Sequence, residues 1–411
     1  MTGLTERQVF ATTPDLSLWV SASAGTGKTH VLTARVLRMM IRGTPPDHIL
    51  CLTYTKAAAA EMANRVYETL GEWAVISDNG LVAAISTTTG EKPDADMLSR
   101  ARTLFASVLD IPGGLKIQTI HSFCQTLLKR FPLEAGLPPH FTVMDDRTRA
   151  EFLRAAIDNV MLAATGGGGP RLKRAFDHIA DKAVESGFEE VINATLAKRR
   201  KILKLLRKYA GAEGVISAIY ASLGADPDKT ADTILQAAVD DKSFDVKGLK
   251  EVSNIALAGA EGEQKHGETL ARFLADGENR AGLFPDYRDI FLTQKGTPRK
   301  TILKKATLEG HPRLEDIIEA EKARLFDLQK TLNLQEVAAD NQALVYLSGK
   351  ILNTFQKAKE AYGYLDYDDL ILKTSELLAR EGIAPWILYK LDGGIDHILV
   401  DEAQDTNRIQ W

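Results

Sequence analysis

A glycine-rich turn near the amino terminus sits between a short apolar run and a helix-forming segment. Leu18-Trp19-Val20 precedes Ala22-Ser23-Ala24-Gly25-Thr26-Gly27-Lys28-Thr29, and helical apolar periodicity follows over residues 31–41. A strand that turns tightly into a helix points to an α/β architecture, and a Gly-Lys-Thr triplet at the helix start narrows the chemistry too. Gly25 and Gly27 let backbone N–H groups turn inward toward phosphate oxygens, and the helix N-terminus adds partial positive charge. Lys28 offers a point charge to β and γ phosphates, and Thr29 offers a hydroxyl to Mg²⁺. The stretch fits the phosphate-loop pattern, with Ala22 in place of its first glycine.

The partner of such a loop is expected elsewhere in the chain. Ile398-Leu399-Val400 is an apolar strand that runs into Asp401-Glu402-Ala403-Gln404-Asp405-Thr406. Asp401 at a strand end is suited to the Mg²⁺ that Thr29 would hold, and Glu402 to orienting or deprotonating an attacking water. Either acid alone is an ordinary loop feature. With the glycine turn they make two halves of one ATP site.

Between these ends the chain reads as an α/β domain interrupted by helices. Strands are expected at 49–53, 116–119 and 141–144, and helices at 57–70 and 121–131. Residues 79–96 are small, polar and punctuated, and read as a variable excursion. From 147 to 361 helical periodicity dominates and β-branched runs vanish, before a strand returns at 395–400. The expected organisation is 1–146 and 362–411 as one sheet domain, with 147–361 as a helical insertion. Gly166 to Gly169, before Pro170, reads as a linker, since no apolar strand precedes it and no Lys-Thr follows.

The 411 residues carry a net charge of −4, so any nucleic-acid contact must be local. Thr53-Tyr54-Thr55-Lys56 follows a strand at the edge where open α/β sheets bind ligands. Its hydroxyls and Lys56 suit phosphates, and Tyr54 suits stacking on a base. Tyr54 in the core and Lys56 in solvent is the plainer alternative. Thr119 and His121 form a similar string at the next strand end. Gln8 reads as the N3 residue of a capping box opened by Thr5, a role compatible with reading an adenine edge. Asp366 fits an N-cap, with Asp368 and Asp369 favourable in the first turn, rather than a metal site. The basic stretches 198–208 and 295–305 suit duplex phosphates or a solvated face equally. Cys51 and Cys124 read as free, buried thiols of a reducing compartment. The first residues hold no apolar signal core and no segment is apolar enough to span a bilayer, so the expectation is a soluble cytoplasmic protein without membrane contact.

Together these motifs resemble the superfamily 1 helicases of the UvrD/Rep type. Leu4-Thr5-x-x-Gln8 resembles their adenine-reading motif, Ala22 to Thr29 their motif I, and Thr53 to Met62 their motif Ia. Thr119-Ile120-His121-Ser122-Phe123 resembles the next DNA-contact motif, and Asp401 to Thr406 motif II. Residues 52–66, 113–138 and 291–305 resemble the bacterial AddA type found in alphaproteobacteria, and the large insertion between motifs Ia and II resembles AddA or its RecB relatives more than compact UvrD. The resemblance implies a RecA-like sheet domain, and ATP-driven 3′-to-5′ travel on single-stranded DNA from a duplex junction. It also implies an AddB-type partner, and a second motor domain and an exonuclease beyond residue 411. Gln404 would couple the γ-phosphate to domain movement. On this reading the 411 residues alone would bind ATP weakly and turn it over negligibly. The alternatives are a UvrD-like repair helicase without a nuclease, and a non-catalytic ATP- or DNA-binding module. The usual Asn-Lys pair of motif Ia is Lys56-Ala57 here.

Overall fold

The computed structural model describes residues 4–23, 25, 27–183, 187–392, 394–406 and 409–410. The chain divides into two compact units, residues 1–150 with 359–411, and residues 151–358.

The first unit is built on a parallel sheet. The described strands are β1 (Ile49–Thr53), β2 (Ile117–Thr119) and β5 (His397–Val400), in the order β2-β1-β5. The register pairs Thr53 with Thr119 and Leu52 with Val400, so β1 and β2 end level and β5 ends one residue earlier. Parallel strands need crossovers, and these bury both faces of the sheet. One face is covered by α2 (Lys28–Ile41), α3 (Lys56–Val75), α4 (Asp78–Thr89) and α5 (Ala95–Leu109), through Leu37, Met40, Met62, Leu70, Trp73 and Ile85 against Ile49 and Cys51. The other core joins Leu52 to α6 (Ile120–Arg130) and the helix Tyr367–Ala379. Cys51 and Cys124 are free and buried, and burial pushes the Cys51 thiol up to about 12. A second, small parallel pair joins β3 (Thr142–Val143) to β4 (Tyr364–Leu365), so the strand expected at 141–144 forms outside the main sheet.

Two sequence expectations fail here. Leu18-Trp19-Val20 makes no strand ladder, and Trp19 is left 73% exposed. Three apolar residues between serines supply few backbone pairs for a ladder. Residues 79–96 are largely helical rather than an excursion. Ser77 caps α4 and Asp94 caps α5, and Leu81, Ile85 and Met97 reach the core. Small polar residues masked a helical stripe of only two or three large side chains. Glu91, between these helices, accepts from both Arg38 and Arg42. Burial works against its charge, but the two guanidinium groups outweigh burial and hold its pKa below the usual range.

The second unit is helical. The 50-residue helix Pro312–Ala361 supplies Leu314, Ile318 and Leu325 to one core, and Ala343, Leu347 and Ile351 to another. In the basic stretches, helix Arg199–Lys208 has no buried residue, whereas Ile302 and Leu303 are buried within the loop 295–305. Glu263 pins that loop through the amide of Lys304 at 2.5 Å and the hydroxyl of Thr307 at 3.0 Å. No described helix is long and apolar enough to cross a membrane.

Candidate nucleotide site at the sheet edge

The glycine turn leads into α2 as its sequence requires. Gly25 and Gly27 have φ of +78° and +86°, conformations in which a Cβ would be strained, and Gly27 is the N-cap of α2. Lys28 and Thr29 follow as the first two residues of the helix and are half-buried; Ala22 and Ser23 are exposed. Ala24 and Thr26 lie outside the described residues.

The acidic pair reaches this turn from the opposite end of the sequence. The amide of Asp401 donates to the Leu52 carbonyl at 2.8 Å, which continues the β1–β5 ladder by one residue. Glu402 then turns sharply, with φ +49° and ψ +44°. A non-glycine residue in this left-handed region costs about 1–2 kcal/mol, and such strain clusters at functional sites. After that turn Glu402 Oε2 stands 3.7 Å from Lys28 Nζ. Gln404 Nε2 donates to the same carboxylate oxygen. Lys28, Glu402 and Gln404 are therefore brought together. Burial, with the charge of Glu402, pushes the Asp401 carboxyl above its ordinary value, against the Glu402 amide and Lys28.

Gln8 joins them through α1 (Glu6–Ala11). Its Oε1 accepts from the Thr5 amide at 2.9 Å, completing the capping box. Its Nε2 faces the glycine turn, since a Cβ built on Gly27 would lie 3.6 Å away. The cap and a place at the loop thus coexist. Sequence reasoning missed what holds α1 there. Arg35 donates to the carbonyls of Ala11 at 3.0 Å and Leu16 at 2.5 Å, and Arg38 to Thr12 Oγ1 at 2.8 Å. Two arginines one helical turn apart on α2 were the available signal.

Thr29 and Asp401 present hard oxygen donors of the kind Mg²⁺ takes. Among the described residues no group of three or more His, Cys, Asp or Glu could hold a metal. Mg²⁺ is usually held by one or two protein oxygens with phosphates and water rather than by a protein cage.

The nucleic-acid candidates lie at the same edge in unequal positions. Tyr54 is 54% exposed and Lys56 is exposed. Thr53 is buried, with its hydroxyl donating to the Thr55 carbonyl at 3.0 Å. Thr55 caps α3 by accepting from Ala58 N, and Thr119 caps α6 by accepting from Ser122 N, both at 3.1 Å. The expectation that these hydroxyls face outward to phosphates meets a competing use, since each already serves local backbone. His121 is half-buried in the first turn of α6.

A glycine turn and an acidic strand end meeting at one edge of a parallel sheet define an α/β protein with a phosphate-loop arrangement. The match to the model of the UvrD/REP helicase N-terminal domain covers residues 4–411, and the chain belongs to that family. Similar proteins include the A subunit of the ATP-dependent helicase/nuclease of Pelotomaculum thermopropionicum, 24% identical over 95% of this chain and 31% of the relative. The protein of that name from Desulforamulus reducens is 24% identical over 98% of this chain and 33% of its own length. That from Lactobacillus gasseri is 37% identical over 33% of this chain and 9% of the relative. The chain thus spans about a third of the length of the first two relatives.

Proposed function

We propose that this chain is the ATP-binding part of a DNA helicase motor acting in double-strand break repair, within a helicase–nuclease of the AddA type. The observation that carries the proposal is the approach of Lys28 to Glu402 at the sheet edge that also bears Tyr54 and His121, in a chain of the UvrD/REP family. Residues 1–146 and 362–411 form a RecA-like domain, and 147–361 an insertion. The two compact units support this division.

In this reading the backbone of Ala22, Ser23, Ala24, Gly25, Thr26 and Gly27 surrounds the ATP phosphates, and Lys28 neutralises the β and γ oxygens. Gln8 reads the adenine. Thr29 and Asp401 would hold Mg²⁺, which would supply neutralising charge to the phosphates. Glu402 accepts the proton of the attacking water, and Gln404, hydrogen-bonded to it, reports the γ-phosphate to the rest of the motor. Tyr54, Lys56 and His121 carry single-stranded DNA along the sheet edge, with Thr53, Thr55 and Thr119 shaping the strand-to-helix turns beneath it. An AddB-type partner, an exonuclease and 3′-to-5′ polarity follow from the resemblance.

The test is strand displacement by the intact protein with ATP, on duplexes carrying a 3′ or a 5′ single-stranded tail. Unwinding of the 3′-tailed duplex is expected. ATP hydrolysis that DNA does not stimulate, without unwinding of either substrate, would overturn the proposal.

A further inference from the structure

Helix α1 carries Gln8 to the glycine turn, yet it is six residues long and buries none of them. So short a helix does not hold its own place, and its seat decides where Gln8 points. That seat includes the end of α4 and the residue after it. Gly90 is the C-cap of α4, with φ +71°, and a Cβ built there would lie 2.5 Å from a methyl of Val9. Val9 therefore packs on the Gly90 backbone more closely than a side chain at that position would allow.

Beside this contact Glu91 accepts from Arg38 Nη2 at 2.7 Å and from Arg42 Nε at 3.1 Å. Arg38 then turns Nη1 toward α1, donating to the Val9 carbonyl at 3.1 Å and to Thr12 Oγ1 at 2.8 Å. Thr12 is buried, and its own hydroxyl donates to the Val9 carbonyl at 2.8 Å. The Gln8 carbonyl in turn accepts from the Thr12 amide at 3.1 Å. Glu91, Arg38 and Thr12 thus close the last turn of α1, one helical turn from Gln8. Arg42 also reaches Asp15 at 3.1 Å, so a single carboxylate orders both arginines beneath the segment that follows α1. A buried guanidinium whose carboxylate is removed is left uncompensated and shifts.

We infer that Glu91 is a positioning residue for base selection, acting through Arg38 and Thr12 to hold α1 so that Gln8 meets adenine in register. The inference rests on the reading of Gln8 as the adenine contact. It assigns a role to the stretch 79–96, outside every motif from which the site was read. Adenine offers a donor at N6 beside an acceptor at N7, whereas guanine offers two acceptors there. A carboxamide tells them apart only when it is held in place, and a displacement of about 1 Å is enough to lose that.

Steady-state hydrolysis of ATP and of GTP by the intact protein, with saturating single-stranded DNA, tests it. The unaltered protein is expected to favour ATP in kcat/KM. Glu91→Ala is expected to shrink the ATP-to-GTP ratio by about 2- to 10-fold, the scale of one lost hydrogen bond, through the KM for ATP and with kcat held. Glu91→Gln, which keeps an acceptor for Arg38, should restore most of it. A merely structural role would lower turnover of both nucleotides alike and leave the ratio unmoved, and that result overturns the inference. Gln8→Ala is the comparator. If it abolishes the preference and Glu91→Ala does not change it, the inference fails alone. If Gln8→Ala leaves the preference intact, or the unaltered protein shows none, the reading of Gln8 fails with it. Should Glu91→Ala not fold, Thr12→Val removes the hydroxyl between Arg38 and α1 and leaves the ion pairs in place. A reduced ratio in that variant supports the positioning role, and an unchanged ratio overturns it.

Discussion

Asp401 carries a conflict between folding and chemistry. Burial, with the neighbouring Glu402 charge, raises its pKa above the ordinary aspartate value of 3.8. The folded chain therefore prefers the protonated acid, and ionising it costs stability. That cost is absent below pH 3.8 and grows as pH rises through the raised value. In the proposed site Mg²⁺ needs the ionised form of Asp401, so metal binding there should weaken on acidification earlier than at an ordinary carboxylate. Asp401→Asn is accordingly expected to melt at the same or a slightly higher temperature at pH 7 without nucleotide. It should also lose Mg²⁺-dependent nucleotide binding by about tenfold or more, the equivalent of one charge-assisted contact. Calorimetry and nucleotide titration check both arms, and a lower melting point with intact Mg²⁺ dependence would contradict them. Residue types at this site were legible because Lys28, Asp401 and Glu402 stand at fixed offsets from glycines and a strand end. The left-handed turn at Glu402 and the Arg35 and Arg38 clamps were not, since both depend on contacts between distant segments.

At the scale of elements, β1 and β2 each hand over to a helix through a threonine. Thr119 is buried and accepts from Ser122 N, so Thr119→Ala should destabilise the protein by about 1 kcal/mol, with Thr119→Ser restoring most of it. Thr55→Ala should cost the same or less at its exposed cap. Urea denaturation measures both. Unchanged stability with impaired DNA binding would instead make these hydroxyls DNA ligands. Strands at 49–53 and 117–119 were readable because β-branched and apolar residues there are bounded by turn signals. Leu18-Trp19-Val20 misled because apolar character alone does not supply a neighbouring ladder. Residues 79–96 misled because threonines and alanines conceal a helix whose buried stripe is narrow.

Across the whole chain, two compact units, a parallel sheet and a UvrD/REP family match over residues 4–411 converge on one design. The ends of the sequence meet because β5 pairs with β1, and that pairing sets Glu402 opposite Lys28. The helical character of residues 151–358 was legible from periodicity. The two cores along Pro312–Ala361 were not, because a single helix so long shows no fixed apolar face. The most direct measurement is DNA-stimulated ATP hydrolysis by the intact protein bearing Lys28→Ala or Glu402→Gln. Each is expected to lower turnover by about 100-fold or more, the scale for losing transition-state charge stabilisation or a general base, with single-stranded DNA still bound. Unchanged turnover in either variant would contradict a single site built from the two ends of the chain.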